Sequence, residues 1–485
     1  MYKLYHILFL PLMLLSVTSS FTQNKKPNII YILSDDLGYG DLGCYGQKEI
    51  KTPHLDALAA GGMKFTRHYA GATVCAPSRA VLMTGRAPGK VRVRGNYETG
   101  PHGFGAGLEL KDEDITLAEV MKQYGYSTAM IGKWGMGVEN TTGEPNKQGF
   151  DYSFGFLNQG HAHSQYPDYL FRDGKRVEIE ENEYGRRDAY TNDLFTDEAI
   201  SYINSHREKP FFLYLAYTTP HAELLVPEDS IFLSYKGRFK EKPFIENGQG
   251  SNGENDFGIY HSQENPNAAY AASVSHQDMS IGRIIALVKE RGLFENTVIM
   301  FSSDNGPARE GGADPEYFNS SGGLRGGKRD LYEGGIRMPF IVSWPAKIKP
   351  GQVTDHVSAF WDIIPTFAGI AGEKLSRNIP TEGISFYPTL IGKPQKQKQH
   401  AYLYWEFHEK PTSTQALLFN DWKAIRHDPN GPFEIYNLKH DSAEKINVAE
   451  QHPQVVNKAL QLFTVARTPH ELWPLKTTIN INGTK

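Results

Sequence analysis

Short apolar runs recur along this chain at long intervals, and most of them stop at a polar residue. Residues 28–34 (NIIYILS) end at Asp35-Asp36, and 127–131 end at Gly132-Lys133-Trp134. Residues 211–217 end at Thr218-Thr219-Pro220-His221, 297–303 end at Asp304-Asn305-Gly306, and 338–344 form a fifth run. Continuous apolar runs rich in β-branched residues predict central parallel strands buried on both faces. Between them, apolar residues at helical spacing predict helices over 115–124, 191–204 and 267–291, the last stopping at Gly292. Strands alternating with helices give an α/β fold with a large, mostly parallel sheet sandwiched by helices.

From about residue 397 the pattern shortens. Residues 401–407, 416–419, 422–426 and 433–436 read as short strands separated by turn residues, followed by a helix over 453–467. This predicts a small C-terminal α+β subdomain with an antiparallel sheet. The Pro- and Lys-rich segment 392–399 marks the boundary, giving a catalytic domain over 23–395 and a subdomain over 396–485. Residues 235–264, rich in Gly, Asn and Glu, read as a long surface insertion.

The first residues read differently. Lys3, an apolar run over 7–17 and the small pair Ser19-Ser20 predict a signal peptide over 1–22. The run is too short to span a bilayer comfortably and no later stretch is longer. The expectation is an exported protein, periplasmic or secreted and bacterial in type, with no membrane span in the mature chain. With 485 residues the chain has room for a large domain and a smaller one. The 51 basic and 55 acidic residues leave a net charge of −4, which gives no reason to expect nucleic acid as a partner. Cys44 and Cys75 are the only cysteines, so one disulfide is the most the chain can form.

In open α/β sheets, ligands bind outside the carboxyl ends of the strands. Four runs ending in polar residues therefore predict one shared pocket. The stretch Val74-Cys75-Ala76-Pro77-Ser78-Arg79, running on to Thr84-Gly85-Arg86, adds to it a helix whose start carries a cysteine, a proline and an arginine. Pro77 suits a first helical position and Gly85 a stop. A helix N-terminus favours an anion, and Arg79 adds a forked cation one turn in. Cys75 then stands where a nucleophile for phosphate or sulfate esters belongs.

The string Cys-x-Pro-Ser-Arg followed by Thr-Gly-Arg resembles the signature of the type I sulfatases. The segment from Gly322 through Lys328 to Tyr332-Glu333-Gly334-Gly335-Ile336-Arg337 resembles their second signature. The resemblance implies an alkaline-phosphatase-like fold and hydrolysis of sulfate esters, with sulfated carbohydrates as substrates; the segment with His161 and His163 suggests galactose-type sugars. It also implies conversion of Cys75 to formylglycine by a formylglycine-generating or anaerobic maturase enzyme. By the same resemblance, Asp35, Asp36, Asp304 and Asn305, with the residue at 75, hold a divalent cation, calcium ahead of magnesium. Such hard oxygen donors suit either ion better than zinc. Lys133 and Lys328 match the two sulfate-binding lysines, and His221 matches the histidine that protonates the leaving alcohol.

One position departs from the family. Where it often reads Gly-Lys-Trp-His-x-Gly, this chain has Gly132-Lys133-Trp134-Gly135-Met136-Gly137, so that imidazole is missing. His161 and His163 are candidates for a replacement base or for sugar recognition; Arg325, Trp405, Glu406 and His408 are candidates for a sugar subsite. Two alternatives remain: a phosphomonoester or phosphonate ester hydrolase on the same fold, and a catalytically silent glycan-binding relative.

Overall fold

The computed structural model describes residues 26–96, 99–100, 103–206, 208–246 and 260–478. The expected signal peptide and the middle of the 235–264 insertion lie outside them. Among the described residues, no helix is long and apolar enough to cross a membrane.

The large sheet has eleven strands. They are β1 (Asn28–Asp35), β2 (Met63–Tyr69), β3 (Ser127–Lys133), β4 (Tyr152–Phe156), β5 (Tyr169–Arg172), β6 (Lys175–Glu178), β7 (Phe211–Pro220), β8 (Thr297–Ser303), β9 (Arg337–Ser343), β10 (Gln352–Thr354) and β11 (Ser358–Ala359). Their spatial order is β10-β2-β9-β8-β1-β7-β3-β4-β5-β6, with β11 also on β2. The middle block β8-β1-β7-β3-β4 is parallel throughout. The fifth apolar run becomes β9, which is antiparallel to β8.

Strand alternation sorts the two faces. On one face Ile29, Tyr31 and Leu33 of β1 pack with α2 (Cys75–Thr84), α3 (Leu117–Gln123) and the helix Ile363–Ile370. On the other, Ile30 and Ile32 pack with α1 (Pro53–Ala60), α4 (Thr191–Ser205) and the long helix Pro266–Glu290. Both faces are thus covered, which explains why β1, β7 and β8 read as unbroken apolar runs.

Four antiparallel strands form the second sheet: β12 (Leu403–Phe407), β13 (Thr414–Phe419), β14 (Trp422–Arg426) and β15 (Glu434–Asn437). Leu403, Trp405, Phe407, Ala416 and Leu418 face the main core, whereas Tyr404, Leu417, Phe419 and Ile435 meet the helix Pro453–Ala466. The seam also holds buried charge. Lys423 Nζ lies 2.8 Å from Glu333 and 3.5 Å from Glu444, with all three side chains wholly buried. Both cysteines are free thiols, Cys44 half-buried and Cys75 buried.

Candidate active site

Four strand ends and one helix start meet. β1 delivers Asp35 and then Asp36, whose φ of 63° puts its backbone in the left-handed region. Just past β8, Asp304 Oδ1 accepts from the Asp36 N–H at 3.1 Å, and Asn305 Nδ2 donates to Asp36 Oδ1 at 2.6 Å. β3 ends at Lys133, whose Nζ is 2.6 Å from Asp35 Oδ2. The preceding residue must be glycine: at Gly132 (φ 111°) a Cβ would fall 1.9 Å from the Ala216 carbonyl oxygen on β7. His221 follows directly on β7.

Helix α2 begins at Cys75, with Val74 in the capping position. Pro77 is therefore its third residue rather than its first, still inside the turn whose N–H groups need no intrahelical partner. Gly85 ends the helix at φ 64°, as expected. Cys75 Sγ lies 3.3 Å from Asp35 Oδ1. Arg79 is turned onto the carboxylates: Nε and Nη2 reach Asp304 Oδ2 at 2.9 and 2.8 Å, and Nη2 stands 3.6 Å from Asp35.

Lys328, from the glycine-rich loop before β9, closes the far side. Its Nζ is 2.9 Å from Asp36 Oδ2, 3.0 Å from His221 Nε2 and 3.0 Å from Glu310 Oε2. His221 Nδ1 is held by the Ala222 carbonyl oxygen; since a carbonyl only accepts, Nδ1 carries the proton and Nε2 faces Lys328. Glu310 escapes sequence reasoning. It sits in an irregular loop with no periodicity to mark it, and one acid among loop residues reads as a solvated surface charge.

Burial and crowded charge set the protonation states. Asp304 is pushed up to about 7 by burial and by Asp35. Burial acts the same way on Asp35, but Lys133, His221 and Arg79 outweigh it and hold that carboxyl well below its usual range. Burial and Asp35 push the Cys75 thiol well up. The unmodified thiol therefore stays neutral and is a weak nucleophile. Burial and Lys328 lower His221.

The residues present fit a hard divalent cation. Ligand atoms of Asp35, Asp36, Cys75 and His221 all lie within 4.8 Å of one another. Asn305 Oδ1, beside them, is buried without a hydrogen-bond partner, as a metal-ligand oxygen is before its ion arrives. Carboxylate and amide oxygens are the donors calcium and magnesium take.

The remaining candidates fall in different places. His163 stacks on His221, ring centroids 4.5 Å apart at 17°. His161 packs instead on Phe156 and Tyr169, and burial pushes it down to about 3. Arg325 stacks 3.8 Å over Tyr332 and donates to Tyr436 and the Glu444 carbonyl, at the seam with the second sheet. His408 is 3% exposed, between Ser413 and Glu406. Trp405 and Glu406 are core residues as well: the indole donates to the Ala70 carbonyl, and Glu406 is tied to Arg94 and Arg467. β12 is covered on both faces, Trp405 by the main core and Glu406, on the opposite face, by Arg94 and Arg467, and the sequence of one short run does not show that second cover. Gly135 has φ 75°, and a Cβ there would come 2.6 Å from the Gln159 amide, so Gln159 fills the space a side chain at 135 would need.

The comparisons with known proteins agree on the family. The sulfatase family profile matches residues 27–373, and that of the N-sulphoglucosamine sulphohydrolase C-terminal region matches 326–465. The chain is 30% identical to N-acetylgalactosamine-6-O-sulfatase of Bacteroides thetaiotaomicron, over 92% of its own length and 94% of that protein's. It is 31% identical to arylsulfatase A of Homo sapiens, over 93% and 89%. It superposes on Ps i-CgsB in complex with k-i-k-neocarrahexaose with a TM-score of 0.75 at 28% identity, covering 94% and 97% of the two chains. Phosphonate monoester hydrolase of Agrobacterium radiobacter shares the fold, at TM-score 0.63 and 18% identity. With its signatures on one buried cluster and more than nine-tenths of its length aligned to these relatives, the chain belongs to the sulfatase family and is a sulfuric ester hydrolase.

Proposed function

We propose that the protein is an exported, formylglycine-dependent sulfatase that removes sulfate from glycans carrying galactose-type sugars and binds calcium at Asp35, Asp36, Asp304 and Asn305. The observation that carries this reading is the convergence of Cys75, Asp35, Asp36 and His221 within one small buried volume. Relatives named for N-acetylgalactosamine 6-sulfate, from Bacteroides thetaiotaomicron and Mus musculus, support the choice of sugar.

A bound cation supplies charge that offsets the sulfate oxygens and the ionised nucleophile. After oxidation by a maturase, the hydrated aldehyde at position 75 supplies two hydroxyls, one to attack and one to expel sulfate. The chain's own residues do the rest. Arg79 fixes Asp304 and keeps Asp35 in place from beneath. Lys133 and Lys328 offer ammonium donors to sulfate oxygens from opposite sides, now spent on Asp35 and Asp36. An ester seated on Lys328 draws that ammonium from His221 Nε2, and the freed nitrogen can take up a proton from solvent and give it to the departing sugar oxygen. His163, stacked on His221, is the candidate for sugar contact, and Arg325, at the seam with the second sheet, for a more distant one.

The test is turnover of aryl sulfate and aryl phosphate, with calcium present, by protein co-expressed with a formylglycine-generating enzyme. Sulfate hydrolysis should dominate, and Lys328→Ala should lower kcat/KM by about 10²- to 10³-fold. Near-normal rates in the variant would remove Lys328 from the site. Faster phosphate turnover would favour the phosphoester reading, and unmodified Cys75 in the mass spectrum a silent glycan binder.

A further inference from the structure

One charged group beside the reacting atoms, Glu310, touches both Lys328 and His221. Glu310 Oε2 lies 3.0 Å from Lys328 Nζ, 3.5 Å from His221 Nε2 and 3.5 Å from the Tyr260 hydroxyl, while Oε1 takes Arg329. Two cations therefore fix this carboxylate from either end, yet its side chain remains 19% exposed. An ionised carboxylate has about four acceptor sites and no donor, so it retains capacity toward whatever enters.

Its position defines what that is. His221 Nε2 must reach the bridging oxygen of the scissile ester. A carboxylate 3.5 Å from that nitrogen stands on the leaving-group side, where a nearby hydroxyl of the sugar can reach it. A hydroxyl there donates to it; a second sulfate there meets like charge in a buried setting, where repulsion is strong. Building on the sulfatase reading, we infer that Glu310 is a specificity-determining residue: it accepts a hydrogen bond from the sugar hydroxyl neighbouring the sulfated position and disfavours glycans sulfated at both. For a 6-sulfated galactose-type ring that hydroxyl is the 4-hydroxyl.

The experiment uses the matured full-length protein and a panel of galactose-type sugar sulfates. The best substrate is compared with its analogue deoxygenated at the neighbouring hydroxyl, and the ratio of the two kcat/KM values is read. The wild type should prefer the hydroxylated sugar by about 10- to 100-fold, the usual worth of a hydrogen bond to a charged group. In Glu310→Ala the preference should collapse toward unity. Glu310→Gln, which keeps the shape and one acceptor, should fall between them and gain relative rate on the doubly sulfated sugar. A wild type without the preference, or a ratio unchanged in both variants, overturns the assignment; equal losses on both sugars would mean that Glu310 only holds Lys328. No turnover of any sulfate ester by the matured wild type would overturn the functional reading and this inference together, so the two failures read differently.

Discussion

Imidazoles in this protein differ by what surrounds them. His68, wholly buried and stacked 3.9 Å from Phe340, and His161, pressed on Phe156 and Tyr169, are both pushed down to about 3 by burial. Each is neutral in the fold but takes up a proton near 6.5 once unfolded. The folded state then binds fewer protons than the unfolded one, so stability rises with pH across that window. The contribution is complete above about pH 6.5 and is lost as pH falls toward 3, by about 1.4 kcal/mol per pH unit for each residue. Urea midpoints measured from pH 7 to 4.5 should show this decline, and His161→Phe should shallow it by about one proton's worth. An unaltered slope in that variant would contradict the assignment.

At the scale of elements, the end of β3 is the tightest constraint on the site. Gly132→Ala forces a methyl group against the Ala216 carbonyl and must shift Lys133 off Asp35. The expected cost is about 1–3 kcal/mol in thermal unfolding, with a larger proportional loss of kcat/KM than of stability; wild-type kinetics would show that β3 yields elsewhere. The same strand shows what can be read before a structure is known. β1, β3, β7 and β8 are covered on both faces, so their apolar runs are continuous and the polar residues ending them stand out. β2 carries Lys64 and Arg67, and the β5–β6 hairpin is half-exposed, so neither forms such a run and neither was anticipated. Strand ends made Asp35, Asp36, Lys133, His221, Asp304 and Asn305 legible as a set. Glu310 and Gln159 lie in loops, where only tertiary packing decides which side chains point inward.

Across the whole molecule, the second sheet is fastened to the first by shared core and by charge. Lys423 has no water to fall back on between Glu333 and Glu444, so Lys423→Met should cost about 3–5 kcal/mol by leaving Glu444 without its cation and Glu333 with Arg337 and the Tyr69 hydroxyl alone. A depressed melting temperature checks this, and wild-type melting would show that the carboxylates can protonate at little cost. The larger consequence concerns time. Cys75 is 3% exposed, and Arg79 on its helix is clamped by Asp304, 225 residues further along. A ribosome makes the thiol early and Asp304, which clamps its helix, late. An enzyme that oxidises this side chain must reach it before the chain closes, because the finished fold leaves this residue 3% exposed; a chain that closes too soon keeps its sulfur for good.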